Sequence, residues 1–258
     1  MKKLLVIPER DRLSESLRLA DEYDLGFEYN DFFAPSVLDD ESVLKEIENQ
    51  YNSNTLPSYC TMHGAFFDVI PFSPDEKIRQ ISEMRIEQSI SAAKRMHCRA
   101  VVFHTNYNPF LNSDIYIRSW IEKNIVYWTS VLKEHSDISI YLENMFDTSP
   151  EIMRQLAEAL SIYENFGICL DFAHASISST DQRLWAQQLG RYVKHIHLND
   201  NDLKADLHLP WGSGKIDRSK FYECYIDYMS NATVLLETPS VESQRKSIQT
   251  LLSDGFIR

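Results

Sequence analysis

Glycine is scarce in this chain, with seven residues in 258, and none stands in a GxGxxG or GxxxxGK[ST] arrangement. The two glycine-rich loops that cradle nucleotide phosphates are therefore excluded. Cysteine is scarcer still. Cys60, Cys98, Cys169 and Cys224 lie far apart with no CxxC pair, which argues against a disulfide framework or a thiolate zinc site and leads us to expect a reducing, cytoplasmic compartment. Basic residues are outnumbered, 26 against 38 acidic, for a formal net charge of −12 at pH 7. That balance repels polyanions and makes nucleic acid a disfavoured partner. No apolar run reaches the length of a membrane span. The opening Met1-Lys2-Lys3-Leu4-Leu5-Val6-Ile7 is cut short by Pro8-Glu9-Arg10-Asp11-Arg12, so it reads as a first strand and not as a signal peptide. What is present is ordinary for a globular protein: 43% hydrophobic and 25% charged residues, enough to bury a sizeable core.

Eight short apolar or β-branched runs occur at about 3–7, 25–29, 58–63, 100–104, 139–143, 167–171, 193–198 and 233–237. Each is followed by a longer segment with helical spacing, the pattern of βα units around a parallel sheet. Eight such units with no linker predict one closed (β/α)8 TIM barrel, a single domain over 1–258. Within 75–97, Ile86, Ile90 and Ala93 fall on one stripe and Glu83 and Glu87 on another. Ser149-Pro150-Glu151 predicts an N-cap, a proline at the first helical position and an acid in the first turn. A further helix is expected from about Ser179-Thr180-Asp181.

Six of the runs end in a side chain able to bind metal: Met62-His63, Phe103-His104, Leu142-Glu143, Leu170-Asp171, Ile196-His197 and Leu236-Glu237. In a barrel the C-terminal strand ends open into one shared mouth. Three histidines and three acids gathered there would repel one another or stay unsatisfied without a cation. Imidazole nitrogen with carboxylate oxygen suits Zn²⁺ or Mn²⁺. Asp171-Phe172-Ala173-His174 adds His174 just past the sixth strand, and Asp206-Leu207-His208 adds two candidates after the seventh. Blander readings exist. His63 and His104 could be hydrogen-bonded mouth residues, and Glu143 and Glu237 could pair with arginine, although neither has a basic neighbour in sequence. An Asx turn could account for the acids around Asp206. His97 and His135 are expected at helix ends, and His195, one layer deeper than His197, as a core histidine. Asp200 and Asp202 are candidate partners of the ligands.

These motifs resemble, in this order, the xylose-isomerase-like barrel superfamily, which includes sugar isomerases, epimerases and the apurinic/apyrimidinic endonuclease IV family. The resemblance runs from about His63 to Glu237. It is carried by His63-Gly64-Ala65-Phe66-Phe67, Val101-Val102-Phe103-His104, Leu142-Glu143-Asn144, Cys169-Leu170-Asp171-Phe172-Ala173-His174, His197-Leu198-Asn199-Asp200, Asp206-Leu207-His208 with Gly212-Ser213-Gly214, and Leu236-Glu237-Thr238-Pro239.

By resemblance to the endonucleases, up to three Zn²⁺ ions would be held. His63 and His104 would take one with Glu143 as a bridge. Glu143, Asp171, His197 and Glu237 would take the second, and His174, Asp206 and His208 the third, for phosphoester hydrolysis. By resemblance to the epimerases, one Mn²⁺ or similar divalent ion such as Mg²⁺ would sit on Glu143, Asp171, His197 and Glu237. The two glutamates would then be catalytic, moving a proton beside a carbonyl, with His174 and Phe66 touching the sugar. The first-strand loop of the endonucleases is replaced here by Val6-Ile7-Pro8-Glu9-Arg10, and the small-residue loop after the fifth-strand glutamate by Met145-Phe146-Asp147. With the surface acidity, these losses rank a small sugar or sugar phosphate substrate ahead of DNA. A binding module on a decayed barrel would show broken ligand sets, and none is broken. The oligomeric state is left open, a homo-oligomer included.

Overall fold

A computed structural model of the chain describes residues 3–66 and 68–257. Eight parallel strands close into a barrel in sequence order: β1 Leu4–Val6, β2 Gly26–Tyr29, β3 Cys60–His63, β4 Ala100–His104, β5 Ser139–Glu143, β6 Phe166–Asp171, β7 Val193–Leu198 and β8 Thr233–Leu236. β1 completes the ring against β8, with Leu5 opposite Leu235. This is the (β/α)8 barrel that the alternation of runs predicts, and every strand overlaps its expected run.

Side chains alternate across each strand, and the two faces carry different chemistry. Outward-facing residues such as Val101, Phe103, Ile140, Leu142 and Leu170 join the main core beneath the helices. Inward-facing Ala100, Val102, Tyr141 and Cys169 form a small cluster of their own. Most apolar burial thus lies between sheet and helices, where each fully buried Leu, Ile or Phe contributes about 1.5–3 kcal/mol. That stabilisation allows the barrel interior to hold polar groups: Glu28, Thr61, His195 and His197 are all fully buried.

The helix Glu76–Arg95 starts on Asp75, whose side chain accepts the Lys77 N–H, and buries Ile86, Ile90 and Ala93 as their spacing requires. The helix Glu151–Leu160 departs from expectation by one residue. Pro150 itself occupies the cap position with near-helical angles (φ −73°, ψ −11°), and no side chain caps the helix, so Ser149 does not act as its N-cap. After β6 there are two helices. Phe172–Ile177 begins at the strand end with Asp171 accepting the His174 N–H, and Gln182–Leu189 starts on Asp181. Among the described residues no helix is long and apolar enough to cross a membrane.

Candidate metal centre

Strand register sets the polar ends at one rim. His104 pairs with Glu143 across β4 and β5, and Asp171 with His197 across β6 and β7. Glu237 follows β8 directly, its N–H donating to the Leu198 carbonyl at 3.1 Å. Gly64 lets the chain turn immediately after His63, because a Cβ there would stand 2.3 Å from the Phe103 ring.

The nine expected ligands converge on this rim. Glu143 stands at the centre, with Oε2 3.2 Å from His63 Nε2 and 3.5 Å from His104 Nε2, and Oε1 3.0 Å from His197 Nδ1. His197 Nδ1 is also 3.6 Å from Glu237 Oε2. Asp171 is fully buried, and its Oδ2 has no hydrogen-bond partner although it lies 3.7 Å from His174 Nδ1. Further out, Asp206 Oδ2 lies 3.3 Å from His174 Nε2 and 2.8 Å from His208 Nε2. Donor atoms of Glu143, Asp171 and His197 lie within 4.8 Å of one another, as do those of His63, His104 and Glu143.

The loop after β7 reaches the mouth by folding back on itself. Asp200 and Leu209 exchange backbone hydrogen bonds of 2.9 Å, and His208 adopts a left-handed φ of 46°. An Asx turn is indeed present, but Asp202 makes it, accepting the Lys204 and Ala205 N–H groups at 3.0 Å. Asp206 faces the histidines instead. Asp200 accepts the N–H groups of Gly212 and Ile216 at 3.0 and 3.1 Å, so it organises the loop.

Whether a cation fits depends on where the protons of these side chains sit. His63 Nδ1 donates to the Gly64 carbonyl at 2.9 Å, His174 Nδ1 to Asn144 at 2.8 Å and His208 Nδ1 to Glu237 at 3.2 Å. With Nδ1–H so engaged, a neutral imidazole at any of the three would turn its Nε2 lone pair toward a carboxylate oxygen of Glu143 or Asp206. Although burial opposes it, these acids raise the pKa of His63, His174 and His208, so without a cation a proton fills that place. Lone pairs facing each other at these distances repel unless a proton or a cation lies between. Burial keeps His104 a neutral imidazole, its pKa pushed down to about 3. Burial, reinforced by Glu237 and Glu143, pushes the Asp171 carboxyl up. Among the described residues no lysine or arginine is in ion-pair contact with Glu143, Asp171, Asp206 or Glu237, whose charged partners are histidines. The arginine-pair alternative for the two glutamates therefore fails. Imidazole and carboxylate donors in this grouping suit a divalent cation.

Three contributors were not singled out from the sequence. Glu28, inside the barrel on β2, has Oε1 3.0 Å from His197 Nε2, and Oε2 3.1 Å from His195 Nε2 and 2.6 Å from the Thr61 hydroxyl. Burial alone would raise its pKa, but the two histidines more than offset this and hold it well below the usual carboxylate range. The second is Asn144, which donates to the Asp171 carbonyl at 3.0 Å and accepts the Asp171 N–H at 2.9 Å. Asn199 is the third, donating to Glu237 Oε2 at 3.2 Å. The expected core histidine His195 has its Nδ1 2.6 Å from the Thr233 hydroxyl. His97 and His135 end helices as expected, and His135 lies 3.0 Å from Glu87. Phe66 stacks on Phe33 at 4.4 Å and lies edge-on to His63 and His104 at 5.0 and 5.5 Å.

A profile of the xylose isomerase-like TIM barrel family matches residues 19–253. The chain belongs to that family. Its fold is similar to that of a Thermus thermophilus protein soaked with zinc chloride, at TM-score 0.77 and 23% identity over all of both chains. It is similar also to a D-tagatose 3-epimerase-like protein, at TM-score 0.75 and 22% identity, covering 98% of this chain and 96% of that one. Among sequence relatives, the apurinic-apyrimidinic endonuclease 1 of Plasmodium berghei is 24% identical over 230 residues. That match takes in 79% of this chain but 44% of the endonuclease, so this xylose isomerase-like barrel spans less than half of that relative.

Proposed function

We propose that the chain is a metal-dependent isomerase or epimerase that moves a proton at the carbon beside a sugar carbonyl. The observation that carries this reading is the pair Glu143 and Glu237 flanking His197 Nδ1 at 3.0 and 3.6 Å, beside the unpartnered Asp171 oxygen. Glu143, Asp171, His197 and Glu237 would hold the divalent ion, with Zn²⁺, Mn²⁺ and Mg²⁺ as the candidates. When bound, such an ion stabilises the negative charge that develops on the substrate oxygen. Glu143 ends β5 and Glu237 follows β8, so the two carboxylates reach a sugar in the mouth from different strands. One takes the proton and the other returns it, each sharing its charge with His197 so that neither is fully solvated. On this reading His174 would hydrogen-bond a sugar hydroxyl, and Phe66 would offer a flat apolar face to the ring. The likeness to an epimerase-like protein supports this reading, as does the acidic composition.

A second reading, a trinuclear-zinc phosphoesterase, is favoured by the additional donors His63 and His104 on Glu143 and by the outer group of His174, Asp206 and His208. The deciding experiment supplies Mn²⁺ or Zn²⁺ in deuterated water and follows the signal of the proton beside the carbonyl across a panel of ketoses and ketose phosphates. Exchange is expected, and Glu143→Gln and Glu237→Gln are each expected to slow it by about 10²–10⁴-fold. Absence of exchange across the panel, together with nicking of an abasic duplex, would put the second reading first.

A further inference from the structure

The mouth is not closed around a monosaccharide. Beside His174 and Asp206 it opens into a cavity of about 830 Å³, in the upper part of the roughly 300–1,000 Å³ range of sites that bury drug-sized ligands. A free hexose is small beside it. The extra wall is apolar and largely aromatic, built from Phe66, Tyr107, Phe110, Met145, Phe146 and Ile177. Phe110 is 92% exposed and Phe146 58% exposed, so two aromatic rings stand uncovered on neighbouring loops that line the same cavity, the β4 loop and the β5 loop. A sugar can lay its C–H face on one such ring, as proposed for Phe66, but hydroxyl groups carried over the exposed rings of Phe110 and Phe146 would lose water. A flat apolar group would cover them, and aromatic pairs favour such packing.

The charges on this wall decide against phosphate. Among the described residues Lys204 is the one lysine or arginine lining the cavity, and Asp68, Asp147 and Asp206 line it too. A phosphate dianion there would meet three carboxylates for one exposed ammonium group. The bidentate arginine that commonly holds a phosphate is missing from the lining.

We propose that the substrate is a non-phosphorylated keto sugar bearing a flat apolar group through a glycosidic oxygen. The sugar reaches Glu143 and Glu237, and the apolar group lies between Phe110 and Phe146. This assignment rests on the isomerase or epimerase reading for the sugar end, and on the cavity wall alone for the apolar end.

Calorimetric titration of the metal-supplemented protein with unreactive analogues tests it. The probes are phenyl and methyl glycosides of glucose and of galactose, the free sugars, and glucose 6-phosphate. The phenyl glycoside of at least one sugar is expected to bind about tenfold or more tighter than its methyl counterpart, and the phosphate no tighter than free glucose. Phe110→Ala combined with Phe146→Ala is expected to bring the phenyl-to-methyl ratio close to one. Both side chains are exposed, so the packed core is untouched. Equal affinities for phenyl and methyl glycosides, no binding of either, or tighter binding of the phosphate overturns the proposal. So does a dimer seen by sedimentation that Phe110→Ala dissociates while no phenyl preference exists, because the patch then belongs to a second copy. Deuterium exchange into a free ketose without a phenyl preference sinks the apolar subsite alone. A phenyl preference without exchange into any keto sugar sinks the catalytic reading alone.

Discussion

Replacing Glu28 with glutamine changes one oxygen for an NH₂ group beneath the candidate metal centre. In the native side chain Oε2 accepts the Thr61 hydroxyl at 2.6 Å and lies 3.1 Å from His195 Nε2, while Oε1 stands 3.0 Å from His197 Nε2, the two histidine contacts being charge contacts without hydrogen-bond alignment. A proton on His197 Nε2 therefore faces a carboxylate, and Nδ1 is the nitrogen left for a metal beside Glu143 and Glu237. Without metal, although burial opposes it, the surrounding acids raise the His197 pKa and a proton takes that place. In Glu28→Gln the amide oxygen stays with the Thr61 hydroxyl, so the NH₂ group turns toward His197 Nε2. Two donors cannot face each other, and His197 moves its proton to Nδ1, the atom a metal needs bare. Losing such an outer partner of a metal-binding histidine typically weakens affinity 10–100-fold, about 1.4–2.8 kcal/mol at 1.4 kcal/mol per tenfold. Competition with a chromogenic chelator measures the zinc affinity of both proteins, and ¹⁵N shifts of the His197 ring report the tautomer. The variant is expected to bind zinc 10–100-fold more weakly with Nδ1 protonated. Unfolding of the metal-free proteins separates this effect from a general loss of stability. Affinity within about twofold of the wild type, with the tautomer unchanged, would refute the reasoning.

Three further outcomes are expected. Saturating the centre with Zn²⁺ at a hundred times its dissociation constant adds about 2.7 kcal/mol, which is roughly 5–10 °C in Tm for a chain of this size; a chelator should reverse that gain in a thermal melt, and an unchanged melt would count against specific binding. Burial pushes the Asp147 carboxyl from its ordinary 3.8 up to about 6. The native state thus binds this proton more tightly than the unfolded chain, and the associated stability is complete below about pH 4 and lost as pH rises through about 6, on the order of 3 kcal/mol in all. Asp147→Asn can keep the acceptor for the Thr105 hydroxyl and the Met145 N–H; urea unfolding should show the variant gaining on the wild type between about pH 4 and 7, and a constant difference would contradict this. Gly64→Ala would bring a Cβ to 2.3 Å from the buried Phe103 ring; denaturant unfolding should register a loss of about 1–3 kcal/mol, and wild-type stability would show that the turn after His63 has slack.

The strand ends were legible because strands of a parallel barrel are buried on both faces and read as unbroken apolar runs. A histidine or acid that terminates such a run stands out, and six of them did. His195 could be placed by counting two residues back from His197. Glu28 was visible in Gly26-Phe27-Glu28-Tyr29 as an acid inside an apolar run, but its partners arrive from β3 and β7, and only closure of the barrel brings those strands to one interior. The helix Phe172–Ile177 escaped because its cap is Asp171, the same residue that the ligand pattern claimed for metal. Ser149 is not the cap that Ser-Pro-Glu favours, because Pro150 is already near-helical and takes the cap position itself. The aromatic cavity has no period to read. Phe110 and Phe146 sit in loops, and that both line one cavity is a property of how the β4 and β5 loops fold over the rim.

The most direct measurement is an anomalous difference map at the zinc edge from crystals grown with Zn²⁺. A peak is expected about 2.0–2.2 Å from oxygens of Glu143, Asp171 and Glu237 and from Nδ1 of His197. A map with no peak at the strand ends, or with zinc only on surface residues away from these four side chains, would contradict the claim that they converge to hold a cation.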